Sequence, residues 1–159
     1  MEGLSGTATH RVLELVSLQD PQADEIRSLV RLACAEQQIP ELQADIEGRV
    51  RSALRSATLL DALGTDARTL SEVYLVVHDG ERFLEGYIDL LVDGGPAELA
   101  ILDYKTDRAT SDSEIASKQE HYAPQLSAYA RAVEQVTGRT PSSTGLVFAR
   151  PGGSPAPKQ

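Results

Sequence analysis

At 159 residues, with 41% apolar and 25% charged side chains, the chain is long enough for one domain with a core and short for two. Its formal net charge of −9 excludes binding to nucleic acid through a broad basic surface of its own, but not through a local positive track or with a partner's help. A lone cysteine, Cys34, excludes a disulfide framework, and with no apolar run of bilayer length and no leader-like start the expected location is cytoplasmic.

The first 64 residues read as helical. Val12, Leu13 and Val16 are at helical spacing in a segment from about Thr9 to Leu18. Asp20-Pro21 then supplies a cap and a first-turn proline, and Ile26, Leu29, Val30 and Ala33 make one apolar face that ends before Pro40. A third helix is expected from about Leu42 to Leu63, with Ile46, Val50, Leu54 and Leu60 on one side and Gly64 at its end.

The period then changes from helical to alternating. "LSEVYLVVHDGERFLEGYIDLLVDGGPAELAILDYKT" holds three strand-like runs separated by Asp79-Gly80 and by Gly94-Gly95-Pro96, which predicts an antiparallel meander. From about Ser113 to Thr137 the stripe Tyr122, Gln125, Leu126, Tyr129 and Val133 marks another helix, closed by Gly138. "STGLVFAR" reads as a last strand and "PGGSPAPKQ", residues 151–159, as a disordered tail. The fold class is therefore α/β in the α+β sense: helices, a three-stranded meander, a helix and a strand. Residues 1–150 form a single expected domain.

The second hairpin carries unusual charge. With its turn centred near Pro96, Asp89 falls opposite or nearly opposite Asp103. Period-two alternation puts Lys105 on the face of Asp103. Facing carboxylates repel, so either Lys105 pairs with one of them or a divalent cation holds both; magnesium and manganese take such oxygen ligands and keep positions open for phosphate and water. Alone, Asp-x-Lys is better read as an exposed edge-strand salt bridge; the opposed Asp89, in Gly-x-x-Asp, puts the two readings on an equal footing. Lysine occurs only at 105, 118 and 158 among 15 basic residues, and unlike arginine it can lose its proton and orient a nucleophile. His10, near the start of the first helix, has the donor chemistry of a metal ligand. Gln125 and Tyr129, four residues apart, put two polar tips on a packing stripe.

In this order the stretches "GTATHRVLE", "SEVYLVV", "EGYIDLLV", "ILDYKTDR" and "YAPQLSAYARAVE" resemble the RecB-like branch of the PD-(D/E)XK nuclease superfamily, as found at the C-terminus of AddA-, RecB- and UvrD-type helicase–nucleases. The resemblance implies a restriction-endonuclease-like core with extra N-terminal helices, and a metal-dependent DNA nuclease acting in double-strand-break repair and recombination. It also implies Mg²⁺ or Mn²⁺ held by His10, Asp89, Asp103 and the carbonyl of Tyr104. Asp89, Asp103 and Lys105 would be the catalytic residues, with Lys105 positioning or deprotonating the attacking water. Gln125 and Tyr129 would support the site and contact DNA, and Glu72 matches a glutamate many relatives carry before the first strand. The iron–sulphur cluster of some relatives needs four cysteines and is not expected. No Walker A loop is present, so the chain reads as a fragment of, or a companion to, a helicase. The competing expectation is a catalytically inactive module that guides DNA or mediates interactions within a helicase complex. Arg108, Lys118 and Arg131 are the cations nearest the motifs.

Overall fold

The computed structural model describes residues 2–107 and 111–151; Arg108, and residues 152–159 of the tail expected at 151–159, lie outside them. The described chain divides into two compact units, one of residues 2–61, 104–107 and 147–151 and one of residues 62–103 and 111–146.

The first unit is built on helices α1 (Glu2–Leu15), α2 (Ala23–Gln37) and α3 (Gln43–Leu54), which pack on one another. Helix α1 starts earlier than the apolar period suggests. Its first turns are rich in small polar residues, and the Thr7 and Thr9 hydroxyls donate back to the carbonyls of Gly3 and Ser5 at 2.9 and 2.8 Å, which satisfies them without leaving the helix. Val12, Leu13, Ile26, Val30, Ile46 and Val50 are buried. Helix α2 ends at Gln38, which adopts a left-handed φ of 57° while its N–H meets the carbonyls of Ala35 and Cys34. A 3₁₀ turn at Pro40–Leu42 leads into α3.

The single helix expected from Leu42 to Leu63 is interrupted. The N–H groups of Arg55 and Ser56 bond the carbonyls of Ser52 and Ala53 at 3.2 and 3.0 Å, three residues back, and α4 (Ala57–Leu63) begins anew on the carbonyl of Ser56. Tightened i→i−3 bonds are how helices commonly end, and neither Gly nor Pro marks the break.

Four strands form one sheet in the order β1-β2-β3-β4: β1 Arg68–Asp79, β2 Arg82–Gly95, β3 Glu98–Lys105 and β4 Ser143–Phe148. β1, β2 and β3 make the antiparallel meander. β4 runs along β3 in the same direction, bonded through Ser142 to Leu99 at one end and Ala149 to Lys105 at the other. Between β3 and β4, α5 (Asp112–Thr137) opens on a capping box in which Ser111 and Glu114 exchange side-chain and backbone bonds, and it closes on Gly138 at φ 72°. Among the described residues no helix is long and apolar enough to cross a membrane.

One extra residue sets the register of the second hairpin. Gly95 faces Glu98, but from Asp93 to Leu90 the partners run Leu99 to Leu102, so Gly94 is a bulge. A side chain at 94 would meet Glu98 Oε2 at 2.9 Å, closer than real Cβ atoms come. The bulge moves the pairing by one residue, and a one-residue slip turns every side chain to the other face. Without it Asp89 would be level with Tyr104; with it, the next step beyond Leu90–Leu102 brings Asp89 level with Asp103.

Candidate active site

The second unit carries three acids at one level of the sheet. β1 pairs with β2 as Ser71–Leu90 and Val73–Ile88, so Glu72 is level with Asp89, and Asp89 in turn with Asp103. Asp103 is 6% exposed, while Glu72 and Asp89 are half-buried. Glu72 has φ 53°, a left-handed backbone that costs a residue with a side chain about 1–3 kcal/mol. Strained backbone in a strand, beside carboxylates on neighbouring strands, is not what stability alone selects. Among the described residues no three His, Cys, Asp or Glu side chains are gathered into a closed metal cage. The row is a level in the sheet.

The first unit holds the other donors. His10 sits on α1 with Nδ1 2.9 Å from the carbonyl of Gly6 and Nε2 2.9 Å from the carbonyl of Tyr104. Carbonyls only accept, and a neutral imidazole has one N–H to give. If Nδ1–H donates to Gly6, the lone pair of Nε2 points at the lone pairs of Tyr104. The arrangement is satisfied by a second proton on the ring, or by a cation that both Nε2 and the carbonyl oxygen can ligate. An imidazole nitrogen and a carbonyl oxygen are both donors that a divalent cation such as Mg²⁺ or Mn²⁺ would accept. Gly6 lets α1 approach: a Cβ there would come within 3.1 Å of Thr106 Oγ1. Lys105 is the last residue of β3 and half-buried. Asp103, Tyr104 and Lys105 are successive, so one strand end carries a carboxylate, a carbonyl donor and an ammonium.

Sequence reasoning missed Arg49. This residue of α3 is 8% exposed and donates from Nε to Asp45 at 2.9 Å and from Nη1 to the carbonyls of Thr106 and Ala149 at 3.0 and 3.3 Å. It thereby ties down the segment just after Lys105. The available signal was an Asp-x-x-x-Arg pair, with the arginine next to the apolar positions Ile46 and Val50.

Gln125 and Tyr129 lie elsewhere than the acid row. Gln125 is exposed and donates to the Tyr129 hydroxyl at 3.4 Å, and Tyr129 is 8% exposed. A Cβ on Gly86 would lie 2.8 Å from that hydroxyl. Gly86 and Asp89 point to opposite faces of β2 by alternation, so the tyrosine backs the strand from behind the acids. The glycine of Gly-x-x-Asp and the tyrosine of Gln-x-x-x-Tyr are thus two halves of one contact. Gly86→Ala should lower stability by about 1–3 kcal/mol, the usual cost of overpacking, and Gly86→Ala combined with Tyr129→Phe should recover part of it; equal melting of Gly86→Ala and the native chain would sink the contact. Lys118 is half-buried and Arg131 exposed, both on α5.

A family model described as the PD-(D/E)XK nuclease superfamily matches residues 2–158. The chain is 42% identical over 92 residues to one of the component chains of the ATP-dependent helicase/nuclease of Pelotomaculum thermopropionicum, covering 55% of this chain and 7% of that protein. It is 43% identical over 68 residues to the corresponding ATP-dependent helicase/nuclease chain of Carboxydothermus hydrogenoformans, covering 41% of this chain and 5% of the relative. It therefore spans only a small part of the length of these curated relatives.

Proposed function

Since the chain belongs to the PD-(D/E)XK nuclease superfamily, we propose that it hydrolyses phosphodiester bonds of DNA with the help of Mg²⁺ or Mn²⁺. The observation that carries this reading is His10, whose two ring nitrogens each face a carbonyl oxygen at 2.9 Å. His10 Nε2, the Tyr104 carbonyl, Asp89 and Asp103 would hold the ion, and all are donors suited to it. A bound ion of this kind polarises the phosphate and lowers the pKa of a water to be used as nucleophile.

The remaining work falls to the chain. With Nδ1–H given to the Gly6 carbonyl, the His10 ring would keep the lone pair of Nε2 available to the cation. Asp89 and Asp103 supply the negative charge that makes cation uptake favourable. Lys105 donates hydrogen bonds to the attacking water or to the phosphate oxygens as charge builds on them. Arg49, through the Thr106 carbonyl, holds the backbone that follows Lys105.

The relatives' names and the small share of them that this chain spans support a nuclease portion of a larger helicase–nuclease. A motor in the same assembly would deliver the strand at high effective concentration, which suits an acidic nuclease. Repair of DNA breaks in the cytoplasm is the setting we assign. Labelled DNA should be cut in Mg²⁺ or Mn²⁺ and left whole in EDTA. By calorimetry the native chain should take up Mn²⁺, and His10→Ala should weaken that uptake by about tenfold or more. A folded chain that neither binds Mn²⁺ nor cuts, alone or with its helicase, would overturn the proposal in favour of the inactive DNA-guiding module.

A further inference from the structure

Among the described residues, one face of the outer part of the β1–β2 hairpin is largely exposed. Phe83 is 66% exposed, Tyr87 55%, Tyr74 50% and Val76 48%. The register places them together: Tyr74 faces Tyr87, and His78 faces Phe83. The rings are paired across the strands, with centroids 5.1 Å apart at 45° for the tyrosines and 4.1 Å apart at 43° for His78 and Phe83. The Tyr74 hydroxyl donates to Glu85 at 2.5 Å. Three of the seven Phe and Tyr residues of the chain are therefore spent on one exposed sheet surface, which stability does not require. The opposite face of the same arm, at Gly86, is the one that receives Tyr129 of α5.

Alternation puts Tyr74 and Tyr87 on the same face as Glu72 and Asp89, two residues away along each strand. From Phe83 to Asp89 is six residues, about 20 Å at 3.4 Å per residue, or room for roughly three unpaired nucleotides. Arg82 is exposed at the hairpin tip. His78 and the two tyrosines bring polar atoms to the surface, unlike the dry aliphatic surface of an obligate protein interface. Stacking on exposed rings is sequence-tolerant, because every base has a π-face.

We propose that the face formed by Tyr74, His78, Phe83 and Tyr87 is a stacking platform for about three unpaired nucleotides, aligned to feed a single strand toward the acid row. The assignment of a nuclease sets the direction of travel; the binding itself is independent of cutting. The test is fluorescence anisotropy with a labelled ten-residue oligothymidine in Ca²⁺, against an abasic strand of equal length and charge. Phe83→Ala and Tyr87→Ala should each weaken oligothymidine binding by about tenfold, the double variant more, with unchanged circular dichroism because the rings are exposed. The abasic strand should bind the native chain more weakly and ignore the variants. Equal affinity for both strands, insensitivity to the variants, or no binding by the native chain would overturn the platform. So would a sedimentation-detected dimer that Phe83→Ala dissociates, which would assign the face to a second copy. Asp103→Asn is run alongside: intact ring-dependent binding with no cutting in native protein would defeat the nuclease assignment and leave the platform standing.

Discussion

Asp103→Asn should lower metal-dependent cleavage of DNA by about 10²- to 10³-fold, the range seen when one electrostatic element of a transition-state site is removed, while the melting temperature holds or rises. The two signs come from one cause. Asp103 is 6% exposed and level with Asp89 on the neighbouring strand, and like charges at one level of a sheet repel. Asparagine keeps the volume and one carbonyl oxygen but removes the charge, so it relieves repulsion and forfeits cation affinity together. Lys105→Ala should lose cleavage similarly, and Lys105→Arg should not restore it, because guanidinium keeps its proton and has a different donor geometry. Single-turnover cleavage and thermal melting on the same preparations decide the matter. A melting temperature several degrees below native for Asp103→Asn would give that carboxylate a structural role.

Arg49→Ala should cost about 2–4 kcal/mol of stability, more than the loss expected of Gly86→Ala. The guanidinium leaves behind two carbonyl acceptors, on Thr106 and Ala149, and the Asp45 carboxylate. A buried acceptor stripped of its donor costs about 1–3 kcal/mol. Asp45 has a side chain 37% exposed and turns to water at little expense. Arg49→Lys should recover only part, since one ammonium cannot reproduce the fork that reaches a carboxylate and two carbonyls. Urea unfolding with unchanged m-values measures the effect. A loss below about 0.5 kcal/mol, the range of an ordinary surface substitution, would show that the clamp is ornamental.

Much of the fold was readable because its signals are local. The meander follows from alternation punctuated by glycine-containing turns, and α5 from one apolar stripe ending in Gly138. The level of Asp89 and Asp103 was readable from a turn centre near Pro96, although the physical reason, the bulge at Gly94, was not. What escaped depends on partners far away in sequence. Helix α1 extends over Gly-Leu-Ser-Gly-Thr-Ala-Thr because hydroxyls bond back to the preceding turn, and α3 stops at Arg55 without a breaker. Arg49 looks like any surface arginine until its acceptors 57 and 100 residues away are known. Sequence motifs brought Gln125 and Tyr129 to the site by association. In the structure Tyr129 packs against Gly86 of the strand that carries Asp89, and Gln125 donates to its hydroxyl.

The length of the β1–β2 arm also has a mechanical consequence. β1 and β2 span 12 and 14 residues and β3 only 8, so Leu90–Val92 are bonded to strands on both sides while Phe83–Leu84 and Val77–His78 pair within the sheet only with each other, with Ala128 and Ala132 of α5 beside them. Local opening requires breaking one ladder at the tip and two at the base. The amides of the arm should therefore exchange with solvent by fraying from the tip while the base, with the level at which the acids stand, keeps its bonds.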